Sequence, residues 1–179
     1  NKLYYWPTQE GTPNASKVEV AALKNLVQVV GTLENPVKNI SISGIRFESS
    51  KRTFMDDYEP LLRSDWTIYR GGALFFEGTE NCSVSDSEFT NLGGNVIMVS
   101  KGLQIKGNHI HDCGASAISF IGDPSAVRSP SFNYREFVPI TEMDTVTGPK
   151  NELYPRECLV ENNLIHRIGR LEKQTAGVQ

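Results

Sequence analysis

Short stretches in which apolar and polar residues alternate return four times along the chain: Asn39-Ile-Ser-Ile…Ile45-Arg-Phe, Asn81-Cys-Ser-Val…Ser87-Glu-Phe, Gly102-Leu-Gln-Ile…Asn108-His-Ile and Glu157-Cys-Leu-Val…Asn163-Leu-Ile. With Ile40, Cys82, Leu103 and Cys158 as position zero, position two holds Ile42, Val84, Ile105 and Val160. That is the alternation of a strand with one buried face. Position seven holds Phe47, Phe89, Ile110 and Ile165. Leu92, Cys113 and Ile168 at position ten are each followed by glycine, which predicts a sharp bend there. A further apolar run, 96–99 and 117–120, with 73–76 in the first copy, completes the repeat. Each repeat therefore predicts three short strands.

Between the first two strands stand Gly44-Ile45, Asp86-Ser87, Gly107-Asn108 and Asn162-Asn163, which predict a turn. Asn108 and Asn163 share one position and are expected to lie above one another, joined through their side-chain amides. The clean period, Cys82 to Leu103, is 21 residues, and the longer spacings place insertions near 50–70 and 123–156. Repeats of about 21 residues with stacked interior positions specify an all-β chain, a parallel β-helix of three short strands per coil with two long loop insertions. A β-sandwich would need tight hairpin turns, and the Asn-Gly and Asp-Gly pairs that favour them are absent. The stretch 18–30 mixes helix formers with valines and is read as strand.

With 179 residues and 39% hydrophobic content the chain suits one core, hence a single domain over 1–179. It starts without methionine and neither end offers a polar cap, so it is expected to be part of a longer protein whose remainder caps the helix ends. A net charge of −3 with scattered Lys and Arg argues against a nucleic-acid partner. No apolar run is long enough for a membrane span. The cysteines fall on interior stacks, Cys82 and Cys158 two coils or about 9.6 Å apart and Cys113 in another stack, so three reduced thiols are expected. No phosphate loop, paired-histidine zinc spacing or serine elbow is present, and neither a metal nor a cofactor is expected. Asn-x-Ser triplets occur at Asn14, Asn39 and Asn81; the last two are expected to begin buried strands and are discounted as glycosylation sites.

Outward positions form rows along such a solenoid. Position six gives Arg46, Glu88, His109 and Leu164, position eight Glu48, Thr90, His111 and His166, and position nine Ser49, Asn91, Asp112 and Arg167. All three histidines fall on two adjacent rows. A solvated polar face is the plainer account for any one of them, but the coincidence marks this flank. The insertions are the other place where function concentrates. The first carries Asp65, Tyr69 and Arg70; the second opens at Asp123 and contains Tyr134. Aromatic faces beside charged hydrogen-bonding groups suit a sugar. Asp123 is either a catalytic carboxylate at the mouth of the loop or an Asp-Pro turn.

Three segments, Lys2-Leu-Tyr-Tyr-Trp-Pro7, Pro36 to Phe47, and Asn163-Leu-Ile-His-Arg-Ile-Gly-Arg170 followed by Ala176-Gly-Val, resemble the right-handed parallel β-helix proteins of the pectate-lyase superfamily. Within it the chain is most similar to glycoside hydrolase family 141 and its bacterial relatives. The resemblance implies a secreted or periplasmic bacterial protein acting on a polysaccharide or oligosaccharide. A glycoside hydrolase would use groove carboxylates as acid and base or nucleophile. The candidates are Asp65, Asp112, Asp123 and Glu88, with Arg70, His109, His111, Tyr69 and Tyr134 as substrate-binding groups. A polysaccharide lyase, which needs a base and a cation to neutralise a uronate, and a non-catalytic glycan-binding adhesin remain open alternatives. Lys106, Arg46 and Arg70 are the cations available to the lyase reading.

Overall fold

The computed structural model describes residues 4, 6, 17–59, 68–128 and 139–179. Among them there is no α-helix, only strands and the two single 3-10 turns Pro124–Ala126 and Ile140–Glu142. The strands are β1 (Val27–Val30), β2 (Val37–Lys38), β3 (Ser41–Ser43), β4 (Arg46–Glu48), β5 (Leu74–Glu77), β6 (Thr79–Glu80) and β7 (Cys82–Ser85). They continue with β8 (Glu88–Thr90), β9 (Ile97–Val99), β10 (Leu103–Lys106), β11 (His109–His111), β12 (Ile118–Phe120), β13 (Leu159–Glu161) and β14 (Leu164–His166).

Every described pairing is parallel, in three sheets ordered β3-β7-β10-β13, β4-β8-β11-β14 and β1-β5-β9-β12; the first three repeats add one strand to each sheet, and the last adds β13 and β14 and a single Ile118–Val178 bridge. A smaller ladder, β2 with β6, runs ahead of the first sheet and is extended by the Lys101–Arg156 bridge. The repeat pattern did not anticipate it, because two residues are too few to show alternation. Of the 18–30 stretch only Val27–Val30 is a strand, the residues before it being unpaired in any sheet. The stretch is therefore not a strand throughout, contrary to expectation. Its early part combines helix-favouring alanine, leucine and lysine with no neighbouring strand to pair with.

The register follows the repeat residue for residue: Ile42, Val84, Ile105 and Val160 form one interior column. Phe47, Phe89, Ile110 and Ile165 form another. Phe47 and Phe89 stack with ring centroids 5.0 Å apart. Leu103, Val84, Ile105, Phe89 and Ile110, in the middle repeats, are wholly buried, whereas Cys158, Val160 and Ile165 in the last repeat are only half-buried. A terminal repeat has a neighbour on one side only, so its inward residues keep one flank open. All three cysteines are free thiols, and burial pushes the Cys113 thiol up to about 12.

Three rows of left-handed residues bend each repeat, at five-residue intervals. They are Asn39, Asn81, Gly102 and Glu157; Gly44, Asp86, Gly107 and Asn162; and Ser49, Asn91, Asp112 and Arg167. Asparagine, aspartate and glycine dominate because they tolerate that conformation best. Asn39 and Asn81 are exposed turn residues and not the start of buried strands, and their side chains bond each other at 2.6 Å. At Gly93 and Gly114 the bend expected after position ten is made two residues earlier, at Asn91 and Asp112, whereas Gly169 is itself left-handed beside Arg167. Gly93 and Gly114 have ordinary φ; a Cβ on Gly114 would lie 2.3 Å from the Gly93 carbonyl oxygen, so close approach of successive backbones demands glycine.

Asn108 and Asn163 stack as expected. The Asn108 side-chain amide donates to Asn163 Oδ1 at 2.9 Å and to the Val84 carbonyl at 3.0 Å, and its oxygen accepts the Ser87 N–H at 3.1 Å. Neither asparagine is left-handed; that role belongs to the residue before each, Gly107 and Asn162. The buried amides close the backbone hydrogen bonds that the turn leaves open.

Candidate functional site

The outward positions of the second sheet gather the histidines. His109 and His111 on β11 flank the inward Ile110; Glu88 and Thr90 pair with them from β8, and Leu164 and His166 from β14. His111 is held from both ends, Nδ1 lying 2.8 Å from Asp112 Oδ2 and Nε2 3.1 Å from Glu88 Oε1. His109 Nε2 faces His166 Nε2 at 2.9 Å, and the His111 and His166 rings stack at 5.3 Å. A carboxylate oxygen of Glu88 and one nitrogen each of His109 and His111 lie within 4.8 Å of one another, a set able to hold a metal ion. Local spacing could not disclose it, since its members come from neighbouring repeats.

Asp112 occupies a left-handed turn and is clamped by the His111 imidazole and by two cations, Arg167 and Arg170, the last at 2.6 Å. The His111 hydrogen bond first, then Arg167, holds its carboxyl well below the usual range. Glu88 is also lowered, chiefly by His111 against some desolvation, with Arg46 3.4 Å away helping. His111 is raised by Asp112, against desolvation, and then by Glu88. His166 is lowered by desolvation and by Arg167. The sheet therefore brings Glu88, His109, His111 and Asp112 together, with both carboxylates charged and already bonded to the imidazole between them.

Asp123 lies apart from this cluster, three residues past β12. Its side chain accepts the Ser125 N–H at 2.8 Å and caps the Pro124–Ala126 turn, and the Ser125 side chain first, then this N–H, lower its pKa. It borders a cleft of about 290 Å³ lined also by Glu34, Glu77, Lys101, Glu152 and Tyr154. Asp123 and Tyr154 also border an adjoining cleft that reaches Glu59 from the first long connection. Arg70 ties the two connections together at this place. It bonds Glu59 at 2.7 Å, Glu77 at 2.6 Å and the Gly122 carbonyl. So engaged, Arg70 shapes the cleft wall and has little left for a ligand. Tyr69 is directed elsewhere, with Lys24 Nζ 5.5 Å from its ring centroid and its carbonyl bonded by Asn95. Asp65 and Tyr134 lie outside the described residues.

Glu34, Glu77, Glu152 and Tyr154 escaped the sequence reading. The one available signal was Glu77, which ends β5 in line with the strand ends that lead to Asp123. Glu172 escaped it as well. It is half-buried, its Oε1 has no hydrogen-bond partner, and burial raises its pKa against the lowering effect of Tyr58. Tyr58 is pushed up to about 12, first by burial and then by Glu172. A carboxyl whose folded pKa exceeds its unfolded value of about 4.3 loses stability as pH rises between the two. Glu172→Gln is therefore expected to raise the melting temperature at pH 7 and to do little at pH 4. Equal shifts at both pH values would contradict this.

No helix among the described residues is long and apolar enough to cross a membrane. Compared with protein-family models, with curated proteins and with solved structures, the chain matches none.

Proposed function

We propose that the protein is a right-handed parallel β-helix of the pectate-lyase type that hydrolyses a polysaccharide in the cleft beside Asp123 and Tyr154. Three all-parallel sheets whose strands follow chain order support the solenoid reading. The observation that carries the functional reading is the cleft. It joins four carboxyl groups, Glu34, Glu77, Asp123 and Glu152, to the tyrosine ring of Tyr154, at the roots of two long connections. A tyrosine face takes the apolar side of a sugar ring while carboxylates meet its hydroxyls. Asp123, kept ionised by its turn, takes the role of base or nucleophile.

The Glu88 and Asp112 pair serves this reaction less well. Its imidazole occupies the space between the carboxylates that a water or a sugar would need, and neither carboxyl holds a proton near neutral pH. A secreted or periplasmic location belongs to the same proposal, since polymeric glycans are met outside the cytoplasm.

The experiment is to incubate the chain with neutral and uronate-containing polysaccharides and to identify the new ends. Saturated reducing ends are expected. Unsaturated ends would establish the lyase alternative, and retention on a glycan with no new ends would establish the adhesin.

A further inference from the structure

We propose that Glu88, His109 and His111 form a binding site for a divalent transition-metal ion of the zinc class on the outer face of the second sheet, separate from the Asp123 cleft and independent of the glycan reading. The three donor atoms lie within 4.8 Å of one another. Glu88 Oε1 is 3.1 Å from His111 Nε2, close to the separation of about 3.3 Å between ligand atoms that tetrahedral bonds of about 2.0–2.1 Å impose. The set needs almost no rearrangement on that edge.

The surroundings are those of a supported site. Asp112 accepts from His111 Nδ1, which fixes the ring and directs its other nitrogen toward Glu88; carboxylates behind metal-bound histidines do the same. Arg167 and Arg170 hold Asp112 in turn. Arg46 takes Glu88 Oε2 and leaves Oε1 turned to the histidines. These three arginines are the opposing charges around the site, and each is engaged by a carboxylate. His109 and His166 present Nε2 to Nε2 at 2.9 Å, so without a metal one ring must donate to the other.

The donor chemistry selects the ion. Two imidazoles and a single carboxylate suit zinc, cobalt, nickel or copper, whereas calcium and magnesium need a cage of oxygens. The strands also explain why the ligands are preset. His109 and His111 are alternate residues of one strand and therefore share its outer face, and Glu88 is paired directly with His109 one repeat away.

The test is titration of the full chain, stripped with a chelator, with Co²⁺ alone and then with Zn²⁺ as competitor. One equivalent of Co²⁺ is expected to bind and to give the intense visible bands of a tetrahedral nitrogen and oxygen environment, which Zn²⁺ then abolishes. His109→Gln and Glu88→Gln should each weaken binding by at least about tenfold, and Asp112→Asn by about 10–100-fold. Circular dichroism and melting of each variant check that the outward substitutions leave the fold intact. Absence of saturable Co²⁺ binding to the wild-type chain, or unchanged affinity in folded His109→Gln and Glu88→Gln, would overturn the proposal.

Discussion

Phe89→Ala is expected to cost about 3–5 kcal/mol of folding stability, the range for emptying an aromatic site in a packed core. Phe89 is fully buried in a middle repeat, stacked on Phe47 below and paired with Ile110 above, so both interfaces of its repeat lose contact at once. In a stack of repeats, stability is close to the sum of each unit and its nearest-neighbour interfaces. A loss of this size is a large part of the roughly 5–15 kcal/mol that holds a typical domain together. Leu164→Ala is the comparison: Leu164 points outward in the last repeat and is 59% exposed, so its removal should cost well under 1 kcal/mol. Urea unfolding of the two variants measures the difference. Equal losses, or a Phe89 loss below 1 kcal/mol, would contradict the stacked register.

The interior was legible because strand alternation and the repeat period reinforce each other. Once Cys82 and Leu103 are aligned, every inward residue from Val84 to Phe120 has its partner assigned, and the pairings follow that alignment. Bends were harder to place. A glycine in a repeat reads as a bend, yet Gly93 and Gly114 answer to backbone crowding while Arg167, unremarkable in sequence, carries a left-handed turn. Residue identity reports what a position tolerates, and crowding and curvature favour the same residue.

The histidine face was visible as rows, since outward positions inherit the period of the inward ones. Its chemistry was not, because the distances that join Glu88, His109 and His111 depend on rotamers across two repeats. The cleft was half legible. Asp123 stood out beside a proline at a loop mouth, but Glu152 and Tyr154 reach it along the second long connection and Glu34 along the β1–β2 link, and neither path follows the period.

Asp123→Asn isolates the charge from the fold. Asparagine caps a turn as well as aspartate does, so the Ser125 hydrogen bond and the Pro124–Ala126 turn should persist. What disappears is the carboxylate that would act as base or nucleophile, a role worth about 10²–10⁴-fold in rate when filled by a side chain. The direct measurement is kcat for reducing-end release by the wild-type chain, Asp123→Asn and Asp112→Asn on one polysaccharide substrate, each variant first shown to be folded. The expected result is a fall of at least about 100-fold in Asp123→Asn and a rate within a few-fold of wild type in Asp112→Asn, whose carboxylate is bound up with His111, Arg167 and Arg170. Full activity in Asp123→Asn, with loss confined to Asp112→Asn, would move the reaction from the cleft to the histidine face and contradict the account.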